Sequence, residues 1–333
     1  MDSKQFRNNR PVSGVSRRQF LQGTAALAGG SLLPTANGSP DKKSLTMLAG
    51  VPRSRVVHGQ DPRVISGPTV HRAMLSELFE KSLIALTRKQ TSSEAWGSIL
   101  MPNDVIGLKF NQSGQAVIST TPTLVDVLIA SLVQAGFNAE QIVCIEAPEG
   151  TSKKHGTTLP NRGYSTAVTD FSSGEDQFAS VLDQVTALIS VPFLKVHNIA
   201  GLTGALKNLS HGLIKHPGRF HANGCSPYIA DIVSAPPIRS KLRLCIVDAL
   251  RVAYVGSPEP TASTLHDSGS LLMSFDPVAA DTTGLAILND IRHAHKIEPI
   301  AKFAAEIPFL ADAHERGVGV AVWHGIDLEP VKP

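Results

Sequence analysis

The chain has 333 residues, 31 Lys+Arg against 28 Asp+Glu, three Cys and 42% apolar residues, the composition of a globular protein with one large domain or two smaller ones. Residues 1–38 hold Lys4, Arg7, Arg10, Arg17 and Arg18 against Asp2 alone, so setting aside this surplus of four takes the net charge from +3 to −1. The body thus shows no basic excess for nucleic acid or an acidic membrane, and its best apolar run, residues 185–194, falls short of the roughly 20 residues that cross a bilayer.

At the N-terminus, Ser16-Arg17-Arg18-Gln19-Phe20-Leu21 is followed by a weakly apolar segment over residues 24–33 and a small, polar stretch over 35–40. These are the n, h and c regions of an export signal, with Arg17 and Arg18 at the n/h junction. The segment resembles a twin-arginine (Tat) signal over residues 1–38, with cleavage near Gly38. That resemblance implies the Tat translocase as a partner during export and a periplasmic or otherwise exported bacterial protein. It also implies a passenger that folds before crossing, often with a cofactor bound. A soluble mature protein without a membrane span is expected.

From about Leu45 apolar runs of four to eight residues alternate with helix-like segments, the pattern of βα units. Strands are predicted at residues 105–111, 141–146, 187–194, 242–248 and 270–275. Helices are predicted at 70–88, at 122–134, where Thr121 can cap and Gly136 follows, and at 278–290 after an Asp-Pro. The expected fold is α/β, a mostly parallel sheet flanked by helices in an open three-layer arrangement. One domain over residues 45–330 is expected, with a loop-rich lobe at 147–180. Cys144 and Cys245 sit in apolar runs as small core residues, no Cys-x-x-Cys occurs, and no structural disulfide is expected.

The runs end on polar residues. Alternation puts Ile106, Leu108 and Phe110 on one face of their strand and Lys109 with Asn111 on the other, and sets Lys195 beside His197. The remaining runs finish with Glu146, Asp248 and Asp276. The carboxyl edge of an open parallel sheet is the usual ligand crevice. Two lysines and three carboxylates at one rim either neutralise one another or form a site. After His197, Gly201 and Gly204 precede the short helical pattern of Lys207 and Asn208, a turn able to offer backbone N–H groups to an anion.

Val191-Pro192-Phe193-Leu194-Lys195-Val196-His197 through Thr203-Gly204-Ala205-Leu206-Lys207-Asn208-Leu209 resembles the central signature of the domain of unknown function 362 family. Four further motifs follow that family's order: Gly107-Leu108-Lys109-Phe110-Asn111, Thr121-Pro122 before Ala135-Gly136, Ile246-Val247-Asp248-Ala249, and Ser274-Phe275-Asp276-Pro277-Val278-Ala279-Ala280-Asp281. The similarity spans residues 100–325. It implies an α/β domain, in some members joined to ferredoxin-type clusters, with no defined reaction. This chain lacks the Cys-rich insert, which argues against an iron–sulfur cluster. The Lys-x-His and Lys-Asn elements have a fainter similarity to lactate racemase-like proteins that hold a nickel-pincer nucleotide, an analogy of sheet-edge layout.

His197, His211, His216 and His221 fall within 25 residues, where an even spread of the twelve histidines gives about one. His221-Ala222-Asn223-Gly224-Cys225 adds a thiol. Imidazoles with Asp248 or Asp276 would suit zinc, iron or nickel with an open position, and His197, Asp248 and Asp276 form the expected metal set. Solvated histidines on a polar loop are the alternative, since no two histidines have i, i+4 spacing. No Gly-x-Ser-x-Gly and no His-Glu-x-x-His occurs, which disfavours a serine hydrolase or zincin.

Two functions follow as expectations. One is an exported cofactor- or metal-dependent enzyme, redox or otherwise transforming a small molecule, with a divalent metal or a nucleotide-type cofactor. In it Lys109, Lys195 and Lys207, with Asn111, Gly204 and Asn208, hold an anionic ligand. His197 with Lys195 and Glu146 carries the chemistry. The other is a non-catalytic periplasmic binding or redox-accessory protein that uses the same basic rim.

Overall fold

The computed structural model describes residues 53–256 and 259–333. The signal segment with Arg17 and Arg18 lies outside the described residues. Nine strands form the main sheet: β1 (Ser54–Gln60), β2 (Ile106–Lys109), β3 (Ile142–Ile145), β4 (Ala187–Ser190), β5 (Phe193–His197), β6 (Gly201–Thr203), β7 (Leu242–Ala253), β8 (Leu265–Ser274) and β9 (Ile326–Val331). The order is β9-β1-β8-β7-β4-β2-β3, with β5 pairing β7 and β6 pairing β5. Five of these eight pairings are parallel, and β8 runs against both neighbours.

The predicted strand over residues 187–194 is two strands in one line. Proline has no N–H for a ladder, and β4 ends just before Val191-Pro192, where Val191 N–H bonds Lys109 O at 2.7 Å and Pro192 O accepts Asp248 N–H at 2.7 Å. The long β7 bridges the interruption: its first half pairs β4 through Cys245–Ser190, and its second half pairs β5 through Asp248–Phe193 and Ala253–Lys195. Lys195 and His197 are thereby carried past the point where β2 and β3 stop.

Strand alternation divides the core in two. Ile106, Leu108, Ile189, Leu244, Ile246 and Met273 pack with Leu75, Leu78, Phe79, Trp96, Leu124 and Leu128. The second group comes from α1 (Arg72–Thr87), α2 (Ser92–Ile99) and α3 (Thr121–Gln134). On the opposite face Val143, Leu188, Cys245, Val247 and Leu272 pack with Leu206, Leu209, Ile232, Leu285, Leu288 and Phe309. These come from α4 (Ala205–Ser210), α5 (Tyr228–Ser234), α6 (Pro277–Ala294) and α7 (Pro308–Glu315). The protein is thus a mostly parallel sheet between two helical layers. Helix α3 begins one residue before Pro122, so Thr120, not Thr121, is its N-cap. Residues 147–180 hold the helix Thr151–His155 and the paired two-residue strands Thr169–Asp170 and Glu175–Asp176. Among the described residues no helix is long and apolar enough to cross a membrane.

Candidate functional site

Lys109, the last residue of β2, is 1% exposed. Its ammonium donates to Phe110 O at 2.6 Å, Asn208 Oδ1 at 2.9 Å and Glu146 Oε2 at 3.0 Å, which uses all three N–H bonds. Burial lowers its pKa, and Glu146 opposes that shift. Asn208 returns the contact, donating to Lys109 O at 2.8 Å and Ser190 Oγ at 3.1 Å. A Cβ on Gly212 would stand 2.5 Å from Lys109 Nζ, so the chain passes this group without a side chain. Lys109 and Asn208 were expected to hold an anion. Both line the cavity, and these hydrogen bonds join them to one another and to Phe110, Glu146 and Ser190.

Glu146 follows β3 in the left-handed region, φ 54°, a conformation of non-glycine residues that gathers at functional positions. Its Oε2 also accepts Gln112 N–H at 3.2 Å. From β5, Lys195 donates to Ser113 O and Oγ, both at 3.1 Å. Burial lowers its pKa, with Glu259 opposing. His197 Nδ1 accepts the N–H groups of Ile199 at 3.3 Å and Ala200 at 3.2 Å, which leaves the ring proton on Nε2. Its pKa is pushed down to about 3, first by burial and then by Lys207, His221 and Lys195. The ring is a neutral donor.

Lys207, on α4, donates to His221 Nε2 at 3.2 Å. The other nitrogen of His221 faces Pro217 O at 3.0 Å, and a carbonyl can only accept, so Nδ1 carries the proton and Nε2 the lone pair. Burial lowers Lys207 to about 8, with the Cys225 thiol opposing and Lys195 adding to the shift. The His211 ring meets His221 edge-on, centroids 4.4 Å apart. Burial pushes its pKa down to about 2, with Lys207 and His221 lowering it further, and its Nε2 is buried without a hydrogen bond although Phe220 O lies near the ring.

These groups surround a cavity of about 620 Å³ at the carboxyl edge of β2, β3 and β5. Lys109, Asn111, Glu146, Lys195, His197, Lys207 and Asn208 line it, joined by Ser113, Thr203, His211, His221 and Glu259. Thr203 Oγ1 is buried there without a partner among the described residues. His216 lies apart, its Nδ1 3.0 Å from Asp176. Among residues not chosen from the sequence, His211 and His221 carried one signal, the density of histidines over 197–221. Ser113 and Glu259 carried none.

Three expected site residues lie elsewhere. Gly204 caps α4, but the anion at that helix start is the chain's own: Asp281 accepts Ala205 N–H at 2.5 Å and Leu206 N–H at 3.0 Å. A Cβ on Gly204 would meet Asp281 Oδ1 at 2.1 Å. Asp248 shares its side of β7 with Leu244, Ile246 and Leu250, so it points into the layer of α1–α3, away from the lysines. There it accepts Thr120 Oγ1–H at 2.5 Å and Leu250 N–H at 3.0 Å, and burial pushes its pKa up to about 6. Asp276 follows the antiparallel β8, whose carboxyl end lies at the opposite rim. Its Oδ1 caps α6 through Val278 and Ala279 N–H, and its Oδ2 accepts Val320 N–H and the Ser54 hydroxyl. The set His197, Asp248 and Asp276 is therefore not assembled. The described residues bring together His211, His221 and Cys225 instead. Asp276→Ala is expected to lower stability by about 2 kcal/mol, read in urea unfolding, with ligand binding in the distant cavity unchanged.

The described residues define an α/β sheet protein with a basic, histidine-lined cavity at its carboxyl edge. The chain carries a domain that matches the family described as "Domain of unknown function (DUF362)" over residues 172–286, and a twin-arginine translocation pathway signal sequence over residues 14–34. The family match is narrower than the span of the sequence motifs: the segments at 107–111 and 121–136 lie outside it. The signal marks export by the Tat pathway. No curated protein matches the chain. Among solved structures, the lactate racemase apoprotein from Thermoanaerobacterium thermosaccharolyticum is similar with 11% identity and a TM-score of 0.41 over 72% of this chain. A protein from Thermotoga maritima is similar with 10% identity and a TM-score of 0.36 over 70% of this chain. This chain spans 57% and 61% of their lengths.

Proposed function

We propose that the protein is an exported enzyme that acts on a small organic anion held in the carboxyl-edge cavity by Lys195 and Lys207. The observation that supports this reading is Lys207: a lysine only 7% exposed, set against the neutral Nε2 of His221 at the wall of a ligand-sized cavity. Among the described residues no carboxylate forms an ion pair with this ammonium, which makes its burial costly, and an anionic guest would remove that cost. His197 offers a neutral Nε2–H, suited to polarise a carbonyl or to hold a developing oxyanion. Glu146 stands by as proton carrier. Lys207, lowered to about 8, can itself exchange a proton near neutral pH.

Titration calorimetry of the purified protein with oxalate and with inorganic phosphate tests the reading. Lys195→Ala and Lys207→Ala should each weaken binding about 30-fold or more, since a hydrogen bond to a charged group is worth roughly 2 kcal/mol. Affinity should fall as pH rises through about 8, where Lys207 loses its charge. A similar loss in His197→Ala supports the enzyme; a loss confined to the lysine variants supports a binding protein. Wild-type protein that takes up neither anion would sink the proposal.

A further inference from the structure

His211, His221 and Cys225 each offer one ligand atom, and the three atoms lie within 4.8 Å of one another. Nothing in the anion-binding role of the cavity requires a thiol beside two imidazoles. Each imidazole is oriented by its Nδ1. His221 Nδ1 donates to Pro217 O at 3.0 Å. His211 Nδ1 lies 3.0 Å from Ser210 Oγ, whose hydroxyl also stands 3.2 Å from Lys207 O. Outer hydrogen bonds of this kind fix tautomer and ring direction in metal sites. His221 Nε2 carries a lone pair, and His211 Nε2 is buried with no hydrogen bond among the described residues, with Phe220 O near the ring. A buried imidazole nitrogen without a good hydrogen bond is a place where a ligand can bind.

We infer that His211, His221 and Cys225 form a binding site for a borderline-soft first-row dication, with Zn²⁺ as the best fit, in the inner wall of the cavity. Two imidazoles and a thiolate match the donor preference of such an ion, and three protein ligands leave a fourth tetrahedral position open. With metal–ligand distances of about 2.0–2.3 Å, tetrahedral ligands stand about 3.4 Å apart, so the group need close in by no more than about 1.4 Å. Metal at His221 Nε2 takes the lone pair that Lys207 now uses. That would free the Lys207 ammonium to meet an anion in the same cavity. The inference rests on the functional reading above only for what the metal does, not for its binding.

The test is a titration of chelator-treated protein with Zn²⁺ and with Co²⁺, without added anion. One ion per chain is expected, with thiolate-to-cobalt charge-transfer absorption in the Co²⁺ form. Cys225→Ser should abolish that band while Cys144→Ser retains it. His211→Gln and His221→Gln should weaken affinity by more than the roughly 10–100-fold that outer-shell changes cost. Cys225 is fully buried, so if Cys225→Ser misfolds by circular dichroism, His211→Gln carries the test. Absence of stoichiometric Zn²⁺ and Co²⁺ binding, a charge-transfer band that survives in folded Cys225→Ser, or wild-type affinity in His211→Gln each overturns the inference. Phosphate affinity of the metal-free protein reports separately on Lys195 and Lys207, so loss of anion binding with metal retained would sink the functional reading and leave the site standing.

Discussion

Lys109→Met is expected to destabilise the protein by about 3–5 kcal/mol, the range found when one partner of a buried ion pair is removed. The methylene volume is largely kept, so the loss is electrostatic. Glu146 Oε2, Asn208 Oδ1 and Phe110 O lose their shared donor, and Asn208 is the piece that ties β2 to Ser190 at the end of β4. Because Glu146 and Asn208 also line the cavity, the variant should bind phosphate more weakly through misplacement of both. The double variant Lys109→Met/Glu146→Gln removes the orphaned charge and should recover part of the loss, a coupling that a double-mutant cycle in urea measures. Stability within about 1 kcal/mol of wild type, together with an anion-affinity loss equal to that of Lys195→Ala, would show that Lys109 holds ligand and is not scaffold.

The second large effect concerns Asp281, 1% exposed and joined to α4 through two backbone N–H groups. Burial pushes its pKa up to about 7, outweighing both hydrogen bonds, with Asp276 adding to the rise. A carboxyl whose folded value is raised contributes stability that is complete below its unfolded value near 3.8 and is lost as pH climbs through about 7. Asp281→Asn removes this titration. Its cost, measured by urea unfolding, should therefore grow on acidification from pH 7 toward pH 4, at up to roughly 1.4 kcal/mol per pH unit. His58, lowered to about 4 by burial, works in the other direction: its contribution is present above 6.5 and lost as pH falls. Comparing the variant with wild type at each pH cancels that background. A cost that grew toward alkaline pH would mean the carboxylate is held as a stabilised anion.

The order of motifs 107–111, 191–209, 246–249 and 274–281 was legible because strand alternation and βα punctuation are local properties. Ile106, Leu108 and Phe110 do face α1–α3, and Lys109 faces the other layer, where it meets Asn208 of α4. The same rule applied to β7 puts Asp248 with Leu244 and Ile246, on the wrong side for a shared rim; the parity was in the sequence and needed only the extra residues of β7 to be counted. Asp276 was different. A strand's direction is set by its neighbours, and nothing within residues 265–274 says that β8 opposes β7.

By itself the sequence determined the layered α/β plan, the export signal, and which side chains leave the strands near Lys195 and His197, since alternation and apolar periodicity act over a few residues. Only the tertiary structure decided who meets whom. Lys109 finds Asn208 across 99 positions and the start of α4 finds Asp281 across 76 and 75, so two apparent anion holders turn out to be already satisfied. A hydrogen bond saturates a donor whatever the distance along the chain, and pairings of that span follow from packing, not from local pattern.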